Sequence, residues 1–144
     1  MQNKLHNCFK KYFFLSLFGV CLSLKQGYTQ VNLSTDYFRI HINAKGFITS
    51  MKNISKTPYR EFSPPDKPSP LLCLYNSSRK KYYEPQSATY SKGTGMLTLK
   101  YANGSIARVS IESKAKYFKL MLKSLTNRNE IDDIQWGFYH TNIT

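Results

Sequence analysis

The chain is short of acid. Against 21 lysines and arginines stand 8 aspartates and glutamates, and histidine occurs 3 times in 144 residues. Catalysis by paired carboxylates needs two acids in one cleft, and Asp132-Asp133 is the one adjacent pair. Neighbours on a strand point to opposite faces, so this pair is read as part of a solvated loop. His41 and His140 lie far apart without ligand spacing, and His6 precedes the folded part, so no metal site is expected. No Gly-x-Ser-x-Gly elbow occurs. Lys92-Gly93-Thr94-Gly95 is no phosphate cradle, because a strand pattern follows it where an anion-binding helix would be needed. The sequence therefore offers no catalytic residue and calls for no cofactor.

Cysteine is scarce too, and so are long apolar runs. The stretch from Phe13 to Leu24 is broken by Ser16, Gly19 and Ser23 and followed by Lys25. It falls short of the roughly 20 apolar residues that span a bilayer. With Lys4, Lys10 and Lys11 ahead and small or polar residues up to Gln30, residues 1–29 have the three-part layout of an export signal. Gly27 and Thr29 supply the small side chains for a cut before Gln30. The protein is accordingly expected outside the cytoplasm, in a periplasm, on a cell surface or secreted, and to meet the membrane only through this leader. Cys21 is not read as a lipidated residue, since Val20 and Phe18 stand where a lipobox has a small residue and leucine. Cys8 and Cys21 leave with the leader, which excludes an internal disulfide in the remainder. Cys73, inside the apolar run Leu71-Leu72-Cys73-Leu74-Tyr75, reads as a buried structural thiol.

Beyond the leader, apolar and polar residues alternate with the period of half-buried strands. Phe38, Ile40 and Ile42 oppose Tyr37, Arg39, His41 and Asn43; Ala44-Lys45-Gly46 turns the chain, and Phe47 to Asn53 returns. Pro58, Pro64, Pro65, Pro68 and Pro70 then stop the strand signal, and residues 57–70 read as a covering loop packed on a sheet edge. Strands are expected again at Leu71 to Tyr75, at Lys81 to Tyr83 after a turn at Asn76-Ser77-Ser78, at Ser87 to Ser91 and at Met96 to Tyr101. Asn103-Gly104 predicts a type I′ hairpin turn into the strand Ile106 to Ser113. Tyr117 to Lys123 is read as a strand, with a helix as its rival because leucine, methionine and lysine favour helices. Asn127 to Asp133 reads as a loop, and Ile134 to Tyr139 as a last strand with Trp136 at its centre. The fold class expected is all-β, an antiparallel β-sandwich over 30–144. The chain stops at Asn142-Ile143-Thr144 soon after an aromatic strand, in mid-pattern, which points to the front piece of a longer protein.

The formal charge of +13 includes four lysines ahead of Gln30 and none of the acids, so +9 remains beyond it. The lysines are scattered along the strands, so a solvated face is expected in preference to a polyanion site, and no specific nucleic-acid recognition is read. Five Asn-x-Ser/Thr triplets, at Asn32, Asn53, Asn76, Asn103 and Asn142, are the chance product of an asparagine-rich chain, and glycosylation is not expected.

The segment Asp132-Asp133-Ile134-Gln135-Trp136-Gly137-Phe138-Tyr139-His140-Thr141, with Tyr117-Phe118-Lys119-Leu120 and the hairpins before it, resembles the N-terminal β-sandwich ahead of the catalytic barrel in large exported glycoside-hydrolase-like proteins of Bacteroidota. Where that group usually has proline after Trp-Gly, this chain has Phe138. The resemblance implies a galactose-mutarotase-like supersandwich whose role is carbohydrate binding or support of a barrel, with Trp136, Tyr139 and His140 as carbohydrate-binding candidates. Trp136 has a second reading as a core ring, the commoner place of a lone tryptophan in a sandwich, and that reading is preferred. The alternatives are a small basic surface protein for polyanions and the front fragment of an enzyme whose active site lies downstream.

Overall fold

A computed structural model describes residues 30–142. The leader expected over 1–29 lies outside the described residues, as do 143 and 144. The described chain is all-β and antiparallel, with no helix among its residues. Its strands are β1 (Val31–Ser34), β2 (Phe38–Ile42), β3 (Phe47–Asn53), β4 (Arg60–Glu61), β5 (Ser69–Pro70), β6 (Leu72–Asn76), β7 (Lys81–Tyr83), β8 (Pro85–Ser91), β9 (Met96–Tyr101), β10 (Ile106–Ser113), β11 (Phe118–Thr126) and β12 (Asp133–Trp136).

Three sheets form a sandwich-like arrangement. The first runs β1-β2-β3-β4 with β5 also on β3, the second β11-β10-β9-β8, and the third β12-β6-β7. One core joins them: Val31, Leu33, Ile42 and Ile48 from the first, Leu97, Leu99, Ala107, Val109 and Ile111 from the second, and Leu72, Leu74 and Tyr83 from the third. The sandwich-like all-β class expected from alternation is therefore the one observed. Alternation is clearest in β10, where Ala107, Val109 and Ile111 are buried and Arg108 is exposed.

Three β-bulges reset the alternation. In β8, Pro85 pairs with Tyr101 and Ser87 with Lys100, leaving Gln86 as the extra residue. Ile42 pairs with Ile48 and His41 with Ser50, leaving Thr49 as the extra residue of β3. Arg108 pairs with Ser124 and Val109 with Leu122, leaving Lys123 as the extra residue of β11. Leu120, Leu122 and Leu125 consequently all pack against the core although the last two are three apart.

The proline-rich stretch covers an edge, as expected, but it does so with two short strands. β4 and β5 both pair with β3, at Lys52–Asn53 and at Phe47–Ile48 respectively. Glu61 fastens this cover: Oε1 accepts the N–H groups of Met51 (2.7 Å) and Ser63 (3.1 Å), and Oε2 accepts the Ser50 hydroxyl (2.6 Å). Burial raises the Glu61 pKa, but those hydrogen bonds together with the Lys52 charge outweigh it and leave the carboxyl below its ordinary value.

Three expectations are corrected and one strand is added. The turn at Tyr101–Gly104 is not type I′: Gly104, at φ 80°, is its last residue and Asn103 keeps a negative φ, which is a type I turn followed by a glycine bulge. The turn between β6 and β7 is Ser77–Lys80, not Asn76–Ser78, with Lys80 in the left-handed region at φ 49°. The last strand is Asp133–Trp136 and ends at Gly137, where the backbone lies against the Pro70 carbonyl so closely that no Cβ fits. β1 was not foreseen; it carries only two apolar residues, Val31 and Leu33, and depends on pairing with β2.

Gly46 meets the turn requirement expected of it. Its φ is 92°, and the β2–β3 hairpin tip it forms lies against the second sheet, 2.8 Å from an added Cβ to Leu99 Cδ2 and 3.2 Å to Pro85.

Candidate functional site

The β12-β6-β7 sheet carries the exposed aromatic surface. Antiparallel register sets Tyr75 opposite Tyr82 across the β6–β7 hairpin, and their ring centroids lie 4.5 Å apart at 35°. Phe138, just past β12, meets Tyr82 edge-on at 5.8 Å and 81°. Offset and edge-to-face contacts of this kind fix rings relative to one another. Tyr82 is 45% exposed and Phe138 56%, so the shelf is open to solvent.

The β6–β7 turn is held rigidly from one side. Asn76, 3% exposed, donates from Nδ2 to Glu130 O (2.6 Å) and accepts at Oδ1 from Arg79 N–H (2.7 Å) and the Ser78 hydroxyl (3.0 Å). Arg79 makes a two-pronged pair with Glu130 at 3.0 and 2.9 Å. Asp132 Oδ2 accepts both the N–H and the hydroxyl of Ser77, at 2.6 and 2.7 Å, and these two bonds lower its pKa. Asp133 is likewise engaged, with Ile134 N–H and the Gln135 amide. Asp132 thus ties down the hairpin turn, Asp133 bonds within its own strand, and Asn76 is buried.

Tyr82 belongs to a second feature as well. A groove of about 610 Å³ is lined by Lys45, Phe47, Lys81, Tyr82, Glu84 and Gln86, among others. The Lys81 ammonium sits 5.0 Å from the centroid of the buried Tyr83 ring.

The sequence-derived candidates fall out differently. Trp136 is 40% exposed at the end of β12, which overturns the preferred core reading. Tyr139 is outside the strand; its hydroxyl donates to Leu71 O (3.2 Å), and its ring helps line an apolar cleft of about 290 Å³ between β1–β3 and the start of β11. Burial, then the neighbouring Cys73, raises its pKa. His140 is exposed and anchored by its backbone N–H to Ser69 Oγ (2.9 Å). These contacts do not bring the three side chains together; the rings that do assemble are Tyr75, Tyr82 and Phe138, which sequence reasoning missed. The signal was available in part, because a hairpin closed between Asn76 and Lys81 necessarily faces Tyr75 with Tyr82.

The remaining reactive groups serve packing. Cys73 is buried, and desolvation with a lesser contribution from Glu84 pushes its thiol up to about 11, far from a nucleophile's range. His41 Nδ1 lies 2.6 Å from the Thr49 hydroxyl at the β3 bulge. Among the described residues no group of three or more His, Cys, Asp or Glu is placed to hold a metal. The molecule is thus of the antiparallel all-β, sandwich-like class. Comparison with protein-family models, with curated proteins and with solved structures finds no match to the chain.

Proposed function

We propose that this chain is a non-catalytic, exported β-sandwich module that binds carbohydrate, similar to the galactose-mutarotase-like domains that accompany glycoside-hydrolase barrels. The observation that carries this reading is the shelf of Tyr75, Tyr82 and Phe138, three rings in contact through Tyr82, of which Tyr82 and Phe138 are open to solvent. Ring faces of this kind complement the C–H faces of pyranoses, and the rigid turn beneath them lowers the ordering cost of binding. Export rests on the layout of residues 1–29.

Affinity electrophoresis of the protein through gels containing plant and microbial polysaccharides tests the reading. Retardation by at least one polymer, diminished in Tyr82→Ala, is expected. Unchanged mobility in every gel overturns it. Export is checked separately by N-terminal sequencing of protein recovered outside the cytoplasm: a start near Gln30 is expected, and a start at Met1 refutes cleavage.

A further inference from the structure

Tyr82 is shared between the aromatic shelf and the groove that begins beside it. A ligand long enough to lie on the shelf therefore continues into a chemically different place. The shelf is uncharged at its rings, whereas the groove is lined by Lys45, Lys81, Glu84 and Gln86, with the Lys81 ammonium over the Tyr83 ring that also lines it. Two positive charges against one negative leave the groove with a single positive excess.

Resting on the carbohydrate-binding reading, we infer that the ligand is a uronate-bearing polysaccharide, with one sugar on Tyr82 and the carboxylate of the next in the groove between Lys45 and Lys81. The charge count selects this chemistry. A chain with one carboxylate per sugar matches a single positive excess, while a densely sulfated chain brings several charges per sugar against Glu84. A neutral chain leaves that positive excess uncompensated. Gln86 adds a donor and an acceptor for sugar hydroxyls. Arg79, the nearest guanidinium in sequence, is already taken by Glu130 and does not add to the groove.

Polygalacturonate and its fully methyl-esterified form share a backbone and differ in charge, so they separate this inference from the broader reading. The full-length protein, Tyr82→Ala, Tyr82→Phe and the double variant Lys45→Gln/Lys81→Gln are compared by affinity electrophoresis and calorimetry in gels or solutions of each polymer, and of heparin and duplex DNA. All altered residues except the retained ring of Tyr82→Phe are exposed, and circular dichroism confirms the fold of each variant. Expected are retention by polygalacturonate, about tenfold weaker binding to the ester, and a similar loss in Tyr82→Ala and in the lysine double variant, with Tyr82→Phe close to the parent. Equal binding of acid and ester overturns the inference and leaves the carbohydrate reading standing. Equal retention by heparin or DNA, indifferent to Tyr82→Ala, also overturns it, since charge alone then explains the binding. Binding to no polysaccharide overturns both.

Discussion

Replacing Asn76 with alanine tests whether one buried amide holds the β6–β7 turn in place. The side chain makes three hydrogen bonds, to Glu130 O, Arg79 N–H and the Ser78 hydroxyl, from a position 3% exposed. Each is worth about 0.5–1.5 kcal/mol net. Ser78, Arg79 and Glu130 are exposed, so their freed groups recover water and the full penalty of a stranded buried donor does not apply. A loss of about 2 kcal/mol is expected, in the lower half of the summed range of about 1.5–4.5 kcal/mol, and a melting temperature lower by roughly 8 °C for a domain of this size. Urea titration followed by circular dichroism measures the first and a thermal scan the second. Ser55→Ala serves as control: Ser55 is exposed and bonded only to Asn53, so a change within about 0.5 kcal/mol is expected. Asn76→Ala falling in the control's range would refute the assignment of the turn's rigidity to this amide.

Three further outcomes follow from particular contacts. Gly46→Ala combines a φ of 92° with a Cβ 2.8 Å from Leu99, and a loss of about 2–4 kcal/mol in urea unfolding is expected; an unchanged midpoint would show that the hairpin tip gives way freely. Glu61 has a folded-state pKa below its ordinary 4.5, so its stabilisation is present above pH 4.5 and is lost as pH falls through the folded value; Glu61→Gln should melt lower than the parent at pH 7, with the gap closing below pH 4.5, and a gap independent of pH would contradict this. Ser110 Oγ is buried with no hydrogen-bond partner, so Ser110→Ala is expected to keep stability or raise it by up to about 1 kcal/mol, and a loss of that size by chemical denaturation would show a partner acting there.

Much of the fold was legible because alternation is local. The strands β2, β9 and β10 and the edge-covering role of residues 57–70 follow from patterns within a few residues. The misses share a physical cause, which is dependence on partners distant in sequence. β1 is a strand because β2 pairs with it, and the Tyr101–Gly104 turn takes its form from Asn127, whose amide reaches Gly104 O at 2.9 Å and whose carbonyl accepts the Ser105 hydroxyl at 2.9 Å. Trp136 reads as core by residue type, but β12 is an edge strand, and its last residue keeps 40% of its surface. The aromatic shelf needs Phe138 to arrive from 56 residues beyond Tyr82, a contact no local pattern encodes.

The bulge in β11 separates two kinds of change that sequence comparison usually treats as one. Lys123 is exposed and pairs with no residue of β10, so its identity matters little and most replacements should be accepted. Its presence matters no more to the ladder: deleting it would give a strand that alternates without interruption, with Leu122 still opposite Val109, Ser124 opposite Arg108 and Leu125 opposite Ala107. A deletion one position earlier would instead remove Leu122, which packs against the core. Position 123 thus tolerates nearly any letter and a gap as well, and a difference of one residue between Leu122 and Leu125 changes the bend of the strand without changing the face its leucines present.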